Sequence, residues 1–404
     1  MTTCSKKLDA LPPYIFTRIK ALAAQAAAAK LDIIDLGMGN PDLPTPPHIV
    51  DRLIDTVKNH PRTHRYPQSK GMPRLRKAIA SWTKKRFDVD LNPESEVLAL
   101  VGSKEGVAHL CAAYLDPGDV ALVPVPTYPV HLNGVFLAGG TVHPMPLTPE
   151  NKFMPDFGKV PDDVLKRAKI MFLNYPNNPT AAVVEDPNFL KETIRFAKKH
   201  DLLVAYDNPY CELTFDGYVA PSILQFEGAR DVAVEYNSFS KTYNMAGWRI
   251  GWVCGDKKLL APLEKFKAFV DYGAPSFIQL AAAAALEGPQ DCVTELAKVY
   301  QARRDYFVGE LNKIGWPTPL PKGTMYVWTP LPESLRKMGS LAFAEKLVKE
   351  TGVVCTPGVG FGEEGEGYVR FALVAHNDRL YDAILRIKKL LREAEGKTPA
   401  RKTK

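Results

Sequence analysis

From about residue 97 to residue 255, short apolar runs alternate with longer amphipathic stretches. The runs at 97–101, 120–125, 170–174, 202–206, 232–236 and 250–254 read as strands. The stretch 188–200 places apolar residues at helical spacing between two of them. Strands alternating with helices predict a parallel α/β sheet flanked by helices. In such sheets a ligand sits beyond the carboxyl ends of the strands. The pattern changes after about residue 287. A long helical repeat at 291–314 leads to an apolar run at 325–329, a helix at 341–350, a strand at 368–373 and a last helix at 378–393. That is an α+β arrangement. The alanine-rich 21–29 segment predicts a helix near the start. The expected organisation is an N-terminal segment 1–45 that joins a small domain, a large domain 46–287, the small α+β domain 288–393 and a basic disordered tail 394–404.

Length supports two domains, since 404 residues exceed what one compact core holds. Apolar residues make up 46% and charged residues 24%, the balance of a soluble globular chain. No apolar run is long enough to span a bilayer, so no membrane partner is expected. No basic-then-apolar leader is seen, and the six cysteines form no C-x-x-C pair. The cytoplasm is the expected compartment, with no metal site. The net charge of +7 is partly local: residues 397–404 carry four positive charges and no negative ones, and without them +3 remains. No basic stripe marks a folded element, so nucleic acid is not an expected partner.

The most informative lysine is Lys241, in the run Ser238-Phe239-Ser240-Lys241-Thr242-Tyr243-Asn244-Met245-Ala246-Gly247-Trp248-Arg249-Ile250-Gly251. A primary amine among hydroxyls, with a cation eight residues on, suits a bond to an aldehyde cofactor whose phosphate is held nearby. Other segments extend this reading. Asp207 ends an apolar run and is placed to pair with the pyridinium nitrogen of pyridoxal phosphate; Tyr210 follows three residues later. Asn178 lies in a proline–asparagine turn and, with Tyr210, could donate to the cofactor's phenolic oxygen. Gly102-Ser103-Lys104-Glu105-Gly106 follows a strand and opens a helix, where free N–H groups favour an anion, so Ser103 and Lys104 are phosphate candidates. Glu105 is a favourable first-turn charge on the helix dipole. Tyr128 is a candidate to stack on the cofactor ring, and Tyr66 a candidate phosphate ligand. Arg370, inside an apolar strand, needs a partner and is the candidate for a substrate carboxylate.

These residues resemble a family. The run from Ser238 to Gly251 is similar to the cofactor-lysine signature of class I aminotransferases, and Asn178-Pro179-Thr180, Asp207-x-x-Tyr210 and Arg370 follow in that family's order. The likeness covers about residues 11–391. It implies a fold type I transferase dependent on pyridoxal 5'-phosphate (PLP): a large domain with a mostly parallel sheet, plus a smaller α+β domain. It implies a homodimer with shared sites, acting on amino acids and 2-oxo acids as small-molecule partners. Lys241 would bond the cofactor and shuttle the proton. Asp207 would hold the ring nitrogen; Asn178 and Tyr210 the phenolic oxygen. Ser103, Lys104, Ser238, Ser240 and Arg249 would surround the phosphate, and Tyr66 would reach the phosphate of the neighbouring subunit. Gly39 would lie against the substrate carboxylate, and Tyr14 in a segment that covers the site.

Two subgroups look nearest: the bacterial glutamate–pyruvate (alanine) aminotransferases and the LL-diaminopimelate aminotransferases. The second group tends to carry an asparagine in the segment equivalent to Asp271-Tyr272-Gly273, which has none here. Alanine with 2-oxoglutarate is therefore the first expectation. LL-diaminopimelate is the alternative, and aspartate, methionine or aromatic donors stay open. A PLP-dependent C–S lyase on the same fold is a further alternative, since fold does not fix function. A non-enzymatic PLP-binding regulator is not favoured, because the likeness leaves no room for an appended DNA-binding domain.

Overall fold

The computed structural model describes residues 4–9, 11 and 15–396. Its strands are β1 (Ile34–Asp35), β2 (Val97–Leu100), β3 (Val120–Val125), β4 (Thr141–Pro146), β5 (Ala168–Asn174), β6 (Leu203–Asp207), β7 (Ala233–Ser238), β8 (Gly251–Gly255), β9 (Tyr326–Pro330), β10 (Val353–Val354), β11 (Thr356–Pro357) and β12 (Tyr368–Ala372). β2 to β8 form one sheet in the order β2-β8-β7-β6-β5-β3-β4.

The apolar runs become strands because both faces of this sheet are covered. Leu98, Ala121, Phe172, Ala205, Val234 and Val253 pack on one face. Their neighbours in sequence, such as Val97, Leu122, Met171, Val204 and Trp252, pack on the other. Successive side chains point to opposite faces, so a doubly covered strand must be apolar throughout. The helix Asn188–His200 buries Leu190, Thr193, Ile194 and Ala197, one face at helical spacing, and leaves its basic last turn outside.

In this sheet two features differ from the sequence expectation. The run at 250–254 was expected in a parallel sheet, yet β8 runs antiparallel to both β2 and β7. The other pairs in this sheet are parallel. β4 was not anticipated, since Pro144 and Pro146 interrupt it. It sits at the sheet edge, where proline is tolerated.

The C-terminal part builds its own core. β11, β12 and β9 form a three-stranded antiparallel sheet. The helices Asp291–Lys313, Ser340–Thr351 and Asn377–Ala394 contribute Phe307, Phe343, Leu347 and Ile387 to the same cluster. Ile19, Ile34 and Leu36 join it from the N-terminal segment, and β1 pairs in parallel with β10. Ala394 closes the last helix, a correction to a tail beginning there, because the helical pattern runs one residue further. Residues 397–404 of that expected tail lie outside the described residues. Among the described residues no helix is long and apolar enough to cross a membrane.

Candidate active site

A cavity of about 300 Å³ opens at the carboxyl edge of the large sheet. Asn174, Asp207 and Ser238 end β5, β6 and β7 side by side, so neighbouring strands deliver them to one line. The cavity is lined by Gly39, Ser103, Lys104, Tyr128, Asn178, Asp207, Tyr210, Ser238, Ser240, Lys241, Arg249 and Arg370, all named from sequence, from segments far apart in the chain. Tyr66 lies outside this lining: it is 91% exposed, with its ring 5.9 Å from that of Tyr272. Tyr14 falls outside the described residues.

One corner is built for an anion. Because β8 is reversed, Gly251 at its start lies opposite both Leu100 and Ser238. That register brings Arg249, two residues before Gly251, beside the turn that follows β2. Gly102 occupies the turn with φ +81°, and a side chain there would lie 2.6 Å from Arg249 Nη2. Ser103 then opens a helix of twelve residues, whose first N–H groups lack helical partners. Arg249 is itself held, with Nη1 donating to the Ala246 carbonyl at 2.9 Å. The Ser240 N–H donates to Ser238 Oγ at 3.2 Å. Lys104 Nζ stands 5.7 Å from the centre of the Tyr128 ring. Burial and the Arg249 charge lower its amine below the ordinary lysine range.

The opposite wall holds a buried carboxylate. His131 Nε2 lies 3.3 Å from Asp207 Oδ2. His131 is fixed by Thr127 Oγ1, 2.8 Å from Nδ1, and by stacking on Phe172. Asp207 is 4% exposed, yet its Oδ1 receives no hydrogen bond among the described residues. A buried carboxylate oxygen without a donor calls for one from a ligand.

The turn after β5 is cross-braced. Asn174 Nδ2 donates to the Asp207 carbonyl at 2.7 Å, and its Oδ1 accepts from the Asn178 N–H at 2.8 Å. Asn177 Oδ1 accepts from both the N–H and the hydroxyl of Thr180. Arg370 Nη1 donates to Asn178 Oδ1 at 2.6 Å, so the amide nitrogen of Asn178 is the side left to donate. Arg370 Nη2 donates to the Gly37 carbonyl at 2.8 Å. Its guanidinium stacks 4.1 Å above the Tyr326 ring centre.

Lys241 Nζ donates to the Gly39 carbonyl at 2.6 Å. The cavity admits solvent, yet the surrounding protein displaces enough water to pull this amine below the ordinary lysine range. The Tyr326 environment opposes that shift, while the Arg370 and Arg249 charges add to it. The Tyr210 and Tyr326 hydroxyls lie 3.1 Å apart. Burial and the adjacent Tyr326 push Tyr210 well above its usual range. Burial also acts upward on Tyr326, but Arg370, Lys241 and the Tyr210 hydrogen bond bring it below. A Cβ on Gly39 would overlap the Tyr326 hydroxyl oxygen. Gly39→Ala is expected to raise KM for the amino acid by at least about tenfold, or 1.4 kcal/mol, because the segment holding Arg370 and Lys241 must move; an unchanged KM in steady-state assays refutes this.

Sequence reading did not single out Tyr326, His131 or Asn174. Tyr326 lay inside an ordinary apolar run, and His131 was one polar residue in an apolar helix. Neither carries a local signal.

The residues fit the cofactor implied by the sequence resemblance. The orphaned Asp207 Oδ1 suits a protonated ring nitrogen, the amide of Asn178 and the hydroxyl of Tyr210 suit a phenolic oxygen, and the glycine-lined cationic corner suits a phosphate. The profile of the family described as "Aminotransferase class I and II" matches residues 31–386. The chain is 48% identical over 391 residues to an LL-diaminopimelate aminotransferase of Moorella thermoacetica, covering 97% of this chain and 99% of that one. It is 47% identical over 394 residues to the glutamate–pyruvate aminotransferase of Escherichia coli, covering 98% and 95%. Substrate-bound BacF from Bacillus subtilis superposes with a TM-score of 0.92 at 40% identity, covering 96% of this chain and 98% of that one.

Proposed function

The chain belongs to the class I and II aminotransferases, and we propose that it moves an amino group between L-alanine and 2-oxoglutarate. The family's cofactor is pyridoxal 5'-phosphate, which supplies an aldehyde to receive the amino group and a ring that accepts electrons. Arg370 binds and orients the α-carboxylate. Lys241 Nζ removes the α-proton and returns it. Asp207 keeps the ring nitrogen protonated. Tyr210 and Asn178 donate to the phenolic oxygen. Ser103, Lys104, Ser238, Ser240 and Arg249 hold the phosphate.

The choice of a small donor rests on the cations of the lining. Arg249 and Lys104 belong to the phosphate corner, Lys241 to the chemistry and Arg370 to the α-carboxylate. No other lysine, arginine or histidine lines the cavity among the described residues. An uncharged side chain such as a methyl group meets nothing it cannot satisfy. The distal carboxylate of 2-oxoglutarate must then be met by water at the mouth or by a second copy of the chain. The E. coli relative's name supports this reading. The second reading is LL-diaminopimelate, favoured by the name of the Moorella relative; its far end would bring both an ammonium and a carboxylate to this pocket.

A half-reaction screen separates them. Cofactor-loaded protein is mixed singly with alanine, glutamate, aspartate, methionine, tyrosine and LL-diaminopimelate, and absorbance follows conversion of the cofactor to its amine form. Fast conversion by alanine and glutamate alone is the expected result. Fast conversion by LL-diaminopimelate overturns the alanine assignment while leaving the catalytic residues in place.

A further inference from the structure

Lys267 is the feature of this molecule that the reaction has not used. It lies near the end of the helix Lys257–Val270 and is fully buried. Its Nζ donates to Glu105 Oε1 at 2.8 Å and lies 3.2 Å from both carboxylate oxygens of Asp271. His109 Nδ1 completes the cluster, 2.5 Å from Glu105 Oε1 and 3.5 Å from Asp271 Oδ2. Among the described residues, Glu105, His109 and Asp271 have the spacing of a cation site. The Lys267 ammonium already stands between the two carboxylates and offsets part of their negative charge.

The cluster reaches the cofactor corner through one atom. Glu105 Oε2 accepts the Val101 N–H at 3.0 Å, which closes the turn holding Gly102, Ser103 and Lys104. Glu105 thus braces the phosphate turn with one oxygen and is anchored by Lys267 with the other. Burial disfavours the Glu105 charge, but the bonds from His109, Asp271 and Lys267, together with the Lys267 charge, hold its carboxyl at about 2. Burial and the neighbouring Glu105 push Asp271 upward. Asp271 also accepts the Gly273 N–H at 2.7 Å, which sets the turn that carries Tyr272.

We propose that Lys267 is a positioning residue for cofactor binding: through Glu105 it holds the 101–104 turn in the shape that receives the cofactor phosphate. A buried ion pair is weak evidence for stability, because desolvation offsets its attraction. Its use here is geometric. A preset turn binds an anion without the entropic cost of ordering itself first. The inference rests on the cofactor assignment and not on the identity of the amino-acid substrate.

The test measures cofactor affinity of cofactor-free protein by titration with pyridoxal 5'-phosphate, alongside kcat at saturating cofactor. Three variants are compared with wild type: Lys267→Met, Glu105→Ala and Glu105→Gln. Glu105→Gln keeps an acceptor for the Val101 N–H and loses the charge; Glu105→Ala loses both. The expected result is a Kd raised at least about tenfold in Glu105→Ala and Lys267→Met, a smaller rise in Glu105→Gln, and kcat at saturation within about twofold in all three. A merely structural role lowers the melting temperature of the cofactor-free protein without this graded change in Kd. If Lys267→Met does not fold, the two Glu105 variants decide. Equal Kd values in wild type, Glu105→Ala and Glu105→Gln overturn the proposal. Failure of wild type itself to bind the cofactor overturns the cofactor assignment instead.

Discussion

Lys241→Ala yields a folded protein whose transamination rate falls by at least about 10⁴-fold, the upper scale for one positioned proton-transfer group. The same change removes the covalent attachment, so the visible absorbance of the bound cofactor shifts and borohydride no longer fixes cofactor to the chain. Among the described residues, the cavity lining holds one lysine besides Lys241, Lys104, whose Nζ stands 5.7 Å from the centre of the Tyr128 ring. Folding survives because the Lys241 head group makes one described hydrogen bond, to the Gly39 carbonyl. A variant with wild-type turnover sinks the assignment. The lowered pKa of this amine adds a pH signature. The neutral amine is the nucleophile, and lowering its pKa moves the neutral form to lower pH. Cofactor uptake by the cofactor-free wild type therefore rises with pH and levels off below the pH at which an exposed lysine would. A rise that continues through the ordinary lysine range contradicts the environment described for Lys241.

Asp207→Asn is expected to lower kcat on the order of 10²–10³-fold, the scale of losing one preorganised electrostatic partner at a buried position. Asparagine keeps the shape beside His131 but carries no negative charge to hold a protonated ring nitrogen. Thr127, His131 and Phe172 continue to support the wall, so the cofactor still binds through its phosphate and through Lys241. The readout is kcat in a coupled assay together with the cofactor content of the purified variant. Full cofactor content with unchanged kcat removes Asp207 from the chemistry.

Much of the site is legible in the order of residues along the chain, and particular residues show why. Lys241, Asp207, Asn178 and the 102–106 turn each follow an apolar run, and a strand end in an α/β sheet is where ligands bind. Local order along the chain is enough to point to them. Arg370 is legible for another reason: a guanidinium within an apolar strand advertises a buried partner. That partner, Asn178 Oδ1, lies 192 positions away and is not readable from the sequence.

Tyr326 and His131 escape a sequence reading because nothing local distinguishes a packing aromatic or a lone histidine from a working one. Tyr326 gains its role from Gly39, Tyr210 and Arg370, which three distant segments bring around it. Glu105 reads as a first-turn charge on a helix dipole, and its position is consistent with that. Its pairing with Lys267, 162 positions away, depends on how two helices pack.

Residue type and short-range order were thus sufficient to establish the α/β class, most strand positions, the helices at 188–200, 291–314, 341–350 and 378–393, and the chemical groups offered to a cofactor, because burial on two faces and strand-end geometry leave their mark within a few residues. The reversed direction of β8, the edge strand β4, the contact of Arg370 with Asn178 and the Lys267 cluster required the folded chain. Each depends on which distant segments become neighbours, and a periodic pattern of apolar residues carries no information about that.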